Sequence, residues 1–86
     1  MTNPELLKKL ALGACRDVAF EDLKRLAVGL GFQLINVSGD HHVFLHPKIQ
    51  APICLQLVGN AAAPHQVRQF TRLVERFGLR LEGELL

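Results

Sequence analysis

Apolar residues fall at helical spacing in three stretches of the chain and at strand-like spacing between the second and third. Leu6, Leu7 and Leu10 follow Asn3-Pro4-Glu5, which reads as an N-cap, a proline in the first helical position and an acid near the positive end of the helix dipole. Gly13 is the expected stop. Residues 20–30 place Leu23, Leu26, Ala27 and Leu30 on one helical face, with Glu21 and Asp22 in the first turn and Gly31 just past the end. The last stretch, residues 64–77, opens on Pro64, carries Val67, Phe70, Val74 and Phe77 as one stripe, and closes at Gly78.

Between the second and third helices the period changes. Residues 32–37 are rich in β-branched and aromatic side chains and lead into Ser38-Gly39-Asp40, which has turn chemistry. Residues 41–46 then read as the returning strand of a hairpin. Pro47 and Pro52 bracket a second turn, and in residues 53–58 Ile53, Leu55 and Leu57 alternate with Cys54, Gln56 and Val58 as a third strand. Residues 59–63 read as a loop. The order is α-α-β-β-β-α, an α+β domain in which a three-stranded antiparallel sheet is covered on one face by helices. An apolar tail, residues 79–86, either packs on this domain or pairs with another chain through Leu79, Leu81, Leu85 and Leu86.

With 86 residues the chain has room for one domain, residues 1–86, whose core is expected over about 18–81. Apolar residues make up 49% and charged ones 21%, with a mean hydropathy of +0.19, which excludes a disordered or fibrous chain. The net charge of +2 is compatible with a nucleic-acid partner only if the basic residues cluster. Cys15 and Cys54 are far apart, so free buried thiols are expected rather than a disulfide framework or a CxxC metal pair. With no signal-like start and no stretch of membrane-spanning length, a cytoplasmic protein without membrane contact is expected.

Two features carry chemistry. His41 and His42 follow the Gly39 turn directly, so at least one imidazole stands near the exposed start of a strand. Histidine exchanges a proton near neutral pH, as removal of an RNA 2′-hydroxyl proton or protonation of the departing oxygen requires. A solvated turn histidine is the bland alternative. A metal site built from His41, His42, His46 and His65 fits poorly, because neighbours on a strand point to opposite faces. On the last helix Arg68, Arg72 and Arg76 recur every fourth residue opposite the apolar stripe, forming a basic ridge suited to phosphates or simply a solvated face beside Glu75, with Gln66 and Gln69 as further polar groups.

Three pieces, in this order and spacing, resemble the HicA (YcfA-like) toxin family. They are Phe20-Glu21-Asp22-Leu23 leading to Leu30-Gly31-Phe32, then Gly39-Asp40-His41-His42-Val43-Phe44 with His46-Pro47, and lastly Pro64-His65-Gln66-Val67-Arg68-Gln69-Phe70 leading to Phe77-Gly78-Leu79. The resemblance implies a fold similar to a double-stranded RNA-binding domain and a metal-independent endoribonuclease acting on messenger RNA, without cofactor, silenced by a HicB-type antitoxin. It implies His41 as the catalytic residue. Arg68, Arg72, Lys48, Gln66 and His42 are the expected RNA contacts. The chain departs from the family at Asp40, where serine is usual, and at Asn60-Ala61-Ala62-Ala63-Pro64-His65, where relatives carry two lysines and a tyrosine. Asp40 reads as a turn former, as a partner that holds His41 charged or oriented, or as a charge that repels the RNA backbone and marks a weakened toxin.

Overall fold

The structure, a computed structural model, describes residues 1–81. Leu85 and Leu86 of the apolar tail lie outside them, whereas Leu79 and Leu81 are buried in the domain's own core. The elements are α1 (Asn3–Ala11), α2 (Phe20–Gly29), β1 (Gln33–Ser38), β2 (His41–His46), β3 (Ile49–Val58), β4 (Ala61–Ala62) and α3 (Pro64–Arg76). They form an α+β domain: a four-stranded antiparallel sheet in the order β1-β2-β3-β4, packed on helices. Among the described residues, no helix is long and apolar enough to cross a membrane.

The helices form where their apolar stripes predict, and one cap differs. Thr2, not Asn3, is the N-cap of α1: its hydroxyl accepts the Glu5 amide at 3.3 Å, and the Glu5 carboxylate accepts the Thr2 amide at 2.9 Å. This reciprocal pair satisfies two donors that the first turn leaves open. The Thr2 backbone and then its hydroxyl hold the Glu5 carboxyl below its ordinary range, so the charged cap persists on mild acidification and is lost as pH falls through that lowered value. Asn3 instead donates to the Arg25 carbonyl at 3.4 Å, tying α1 to α2.

The core contains Leu6 and Leu10 of α1, Leu23 and Leu26 of α2, Phe44 of β2, Leu55 of β3, and Val67 and Phe70 of α3. Phe44 in the middle of β2 is fully buried. The helix layer does not extend over β1, all six residues of which are exposed, so Leu34 and Val37 stay in solvent although they lie beside Phe44 and His42.

Two expectations for the strands are corrected. First, β3 begins at Ile49, so Pro52 lies inside a strand rather than at its border. The register explains how: His46 pairs with Ile49 and Phe44 with Ile53, which leaves residues 50–52 opposite Leu45 alone. A proline is tolerated in such a bulge because no ladder hydrogen bond is required of it. Second, the segment read as a loop holds a fourth strand, so the sheet has four strands rather than three. Ala61 and Ala62 pair with Val58 and Leu57, the Ala62 amide donates to the Val18 carbonyl at 2.9 Å, and the Phe20 amide donates to the Asn60 carbonyl at 3.0 Å. Backbone bonds to the start of α2 thus make the strand, in place of any side-chain pattern.

Candidate functional site

The β1–β2 turn positions His41. Ser38 pairs with His41, so Gly39 and Asp40 form a two-residue hairpin turn, with Gly39 at φ +59° in the first central position, where the strand twist favours glycine. The Asp40 carbonyl accepts the Leu57 amide at 2.8 Å, fastening the turn to β3. Asp40 is thus a turn former here. Among the described residues its carboxylate has no hydrogen bond to His41.

His41 and His42 point to opposite faces, as strand geometry requires. His42 faces the helices, where its ring lies 4.6 Å from that of Phe20 and its Nδ1 is buried without a partner. It is not brought together with His41. His41 is exposed on the other face, at the head of β2, and its Nδ1 lies 3.3 Å from Cys54 Sγ. With Nδ1 turned to the sulfur, Nε2 is the nitrogen free to meet a ligand.

Three polar side chains from three strands stand in one row on this face. Ser38 is paired with His41, and His41 with Gln56. The backbone groups of Gln56 turn away from β2: its amide donates to Gln66 Oε1, and its carbonyl accepts the Ala63 amide at 3.1 Å. That makes His41 and Gln56 a non-hydrogen-bonded pair, the kind whose Cα atoms approach to about 4.5 Å and whose side chains lie closest. Ser38, Gln56 and Cys54 were not singled out from sequence. Their signal is the alternation of each strand, usable only once the register is known.

Gln66 is a structural residue, because its carbonyl oxygen takes the Gln56 amide and so docks the first turn of α3 against the strand beside His41. In a Gln66→Ala protein that amide loses its acceptor, and the unfolding free energy measured in urea is expected to fall by about 1–3 kcal/mol. Gln66→Glu keeps an acceptor and should retain most of the stability.

The basic ridge of α3 is present. Arg68, Arg72 and Arg76 are exposed, and none forms an ion pair among the described residues; Glu75 does not neutralise them. The acids that do pair lie on α2, where Lys24 meets Glu21 at 3.3 Å and Arg25 meets Asp22. Arg68 approaches Cys15 Sγ at 3.4 Å, and Arg76 stands over the Phe77 ring at 5.6 Å. Arg68 and Arg72 line one cleft with Cys15 and Thr71, and Arg68 a second with Arg16 and His65. Both cysteines are free and half-buried rather than fully buried.

Lys48 lies apart from His41. It sits in the β2–β3 turn, beyond the far end of β2, and the five residue steps from His41 to His46 span roughly 17 Å. His46, at that far end, is a structural residue: its Nε2 lies 2.9 Å from the Leu30 carbonyl, and its Nδ1 accepts the Lys48 amide at 3.0 Å. Among the described residues no group of three or more His, Cys, Asp or Glu side chains is placed to hold a metal ion. Comparison with protein-family models, with curated proteins and with solved structures finds no match to this chain.

Proposed function

We propose that this chain is a HicA-like toxin: an RNA-binding, metal-independent endoribonuclease that acts on messenger RNA in the cytoplasm and is silenced by a HicB-type antitoxin. The observation that carries the reading is the placement of His41, exposed at the head of β2 on the open face of the sheet, with Nδ1 turned to Cys54 Sγ and Ser38 and Gln56 beside it. The helix-backed antiparallel sheet is read as the double-stranded-RNA-binding-domain-like fold that the sequence resemblance implies.

In this reading the RNA backbone follows the unpaired ridge of Arg68 and Arg72 and crosses the end of the sheet at His41. His41 Nε2 takes the 2′-hydroxyl proton as that oxygen attacks the adjacent phosphorus, and the imidazolium so formed delivers a proton to the departing 5′-oxygen. Gln56 and Ser38 supply hydrogen-bonding groups to the phosphate. Growth on induced expression, with mapping of new RNA 5′ ends, tests the proposal. Arrest with new ends from the wild-type chain and none from His41→Ala is expected, whereas equal cleavage by both proteins excludes His41 as the catalytic residue.

Arg72 contributes through charge in this scheme. The Arg72→Ala protein should bind RNA of every sequence more weakly, and the slope of log K against log salt should fall by about 1. Titrations at several salt concentrations read both effects. A second reading, a non-catalytic RNA-binding or antitoxin-binding module, is favoured by Asp40, which places an exposed carboxylate in the turn beside His41 where it repels a phosphate. Under it, RNA is bound without cleavage.

A further inference from the structure

We propose that Cys54 and His41 form a thiol–imidazole pair that makes Cys54 a site of modification by small electrophiles, hydrogen peroxide above all, and that this modification shuts the His41 site. The regulatory half of the proposal rests on the ribonuclease reading; the reactivity of the pair does not.

The sulfur lies 3.3 Å from His41 Nδ1, within reach for transfer of the thiol proton. Both groups sit on the open face of the sheet, one on β2 and one on β3: Cys54 is paired with Val43, and His41 stands diagonally from it next to Gln56. Cys54 is half-buried, so it is reachable while its position stays fixed by the strand. The chain carries its own comparison. Cys15, equally free and half-buried, has an arginine at 3.4 Å, a group that attracts a thiolate and cannot take a proton from a thiol.

The chemistry balances within the pair and one peroxide. His41 Nδ1 takes the Cys54 proton, and the thiolate sulfur attacks one peroxide oxygen. An S–O bond forms, the O–O bond breaks, and the departing hydroxide recovers a proton from the imidazolium to leave as water. The sulfur is oxidised by two electrons to the sulfenic acid and the peroxide is reduced. A dithiol reverses the change, returning the thiol with one water and a cyclic disulfide. The added oxygen enters a gap of hydrogen-bond length, so the imidazole has to turn from the orientation that presents Nε2 to the RNA.

The test has two separate readouts. Iodoacetamide labelling of the intact protein, followed peptide by peptide, should show Cys54 reacting at least about tenfold faster in wild type than in His41→Gln, with the Cys15 rate unchanged. His41→Ala gives the same comparison should the glutamine perturb the strand. Equal Cys54 rates with and without His41 overturn the pair whether or not the protein cuts RNA. In the second readout, peroxide lowers RNA cleavage by wild type, dithiothreitol restores it, and Cys54→Ser, measured against its own untreated rate, is insensitive. Cleavage that continues undiminished when Cys54 is sulfenylated overturns the regulation. A protein that never cleaves RNA removes the ribonuclease reading, and the regulation with it, and leaves the labelling result standing.

Discussion

Replacing Gly31 by alanine is expected to lower the unfolding free energy by about 2–6 kcal/mol, from strain and overpacking of roughly 1–3 kcal/mol each. Gly31 follows the C-terminus of α2 at φ +100°, a conformation that side chains of L-residues rarely adopt, and a Cβ there would stand 2.9 Å from His46 Nε2. The imidazole cannot yield cheaply. It is buried, bonded through Nε2 to the Leu30 carbonyl and through Nδ1 to the Lys48 amide, and packed 4.9 Å from the Phe32 ring. Gly13 supplies the control: at φ +91° it has nothing within 4 Å of the added Cβ, so Gly13→Ala carries the backbone strain alone. Urea unfolding of the two variants separates the terms, and equal losses would refute the steric part. A domain of this size has a total stability of about 4–13 kcal/mol, so the larger loss unfolds a protein at the low end of that range and about halves the stability of one at the high end.

The same histidine shows what the sequence conveyed and what it did not. His46 enters the sequence reading only as one of four histidines in a poorly fitting metal site, and its two partners are backbone groups, one of them from the end of α2, which no local pattern announces. The three helices were legible because each buries one stripe at helical spacing, and the first hairpin was legible because Ser38-Gly39-Asp40 has the residues its turn demands. The β4 strand was not. Two alanines have no periodicity to read, and Val18, Leu57 and Val58 supply the bonds that define them.

Register accounts for what was missed at the candidate site. A regular hairpin continued from the His46–Ile49 pair would set His41 opposite Cys54. The bulge at residues 50–52 moves β3 by two residues, so Gln56 takes that place and Cys54 becomes the diagonal neighbour. A shift of two preserves the faces, whereas a shift of one would have turned Cys54 and Gln56 into the core. A one-residue irregularity of that kind does occur between Leu34 and Asn36, at the edge, where it leaves Leu34 and Val37 on the same side of β1. Pro52 was legible as an interruption, but the number of residues the bulge would absorb was not.

Purified wild-type protein is expected to cleave RNA about 10²–10⁴-fold faster than His41→Ala, the range a well-placed general acid or base contributes. RNA affinity should change little between the two, because the phosphate contacts proposed above are Arg68 and Arg72, which lie on another element. Gln56→Ala should fall between them in rate: its side chain adjoins His41 in the closest kind of cross-strand pair, while the backbone groups that hold α3 in place survive the substitution. Single-turnover cleavage with the protein in excess, measured beside binding at the same salt, separates the two contributions. A His41→Ala protein that loses affinity in proportion to rate would reassign His41 to binding. A wild-type protein that binds and never cuts would leave the non-catalytic module as the reading, with Asp40 in the turn as its physical reason.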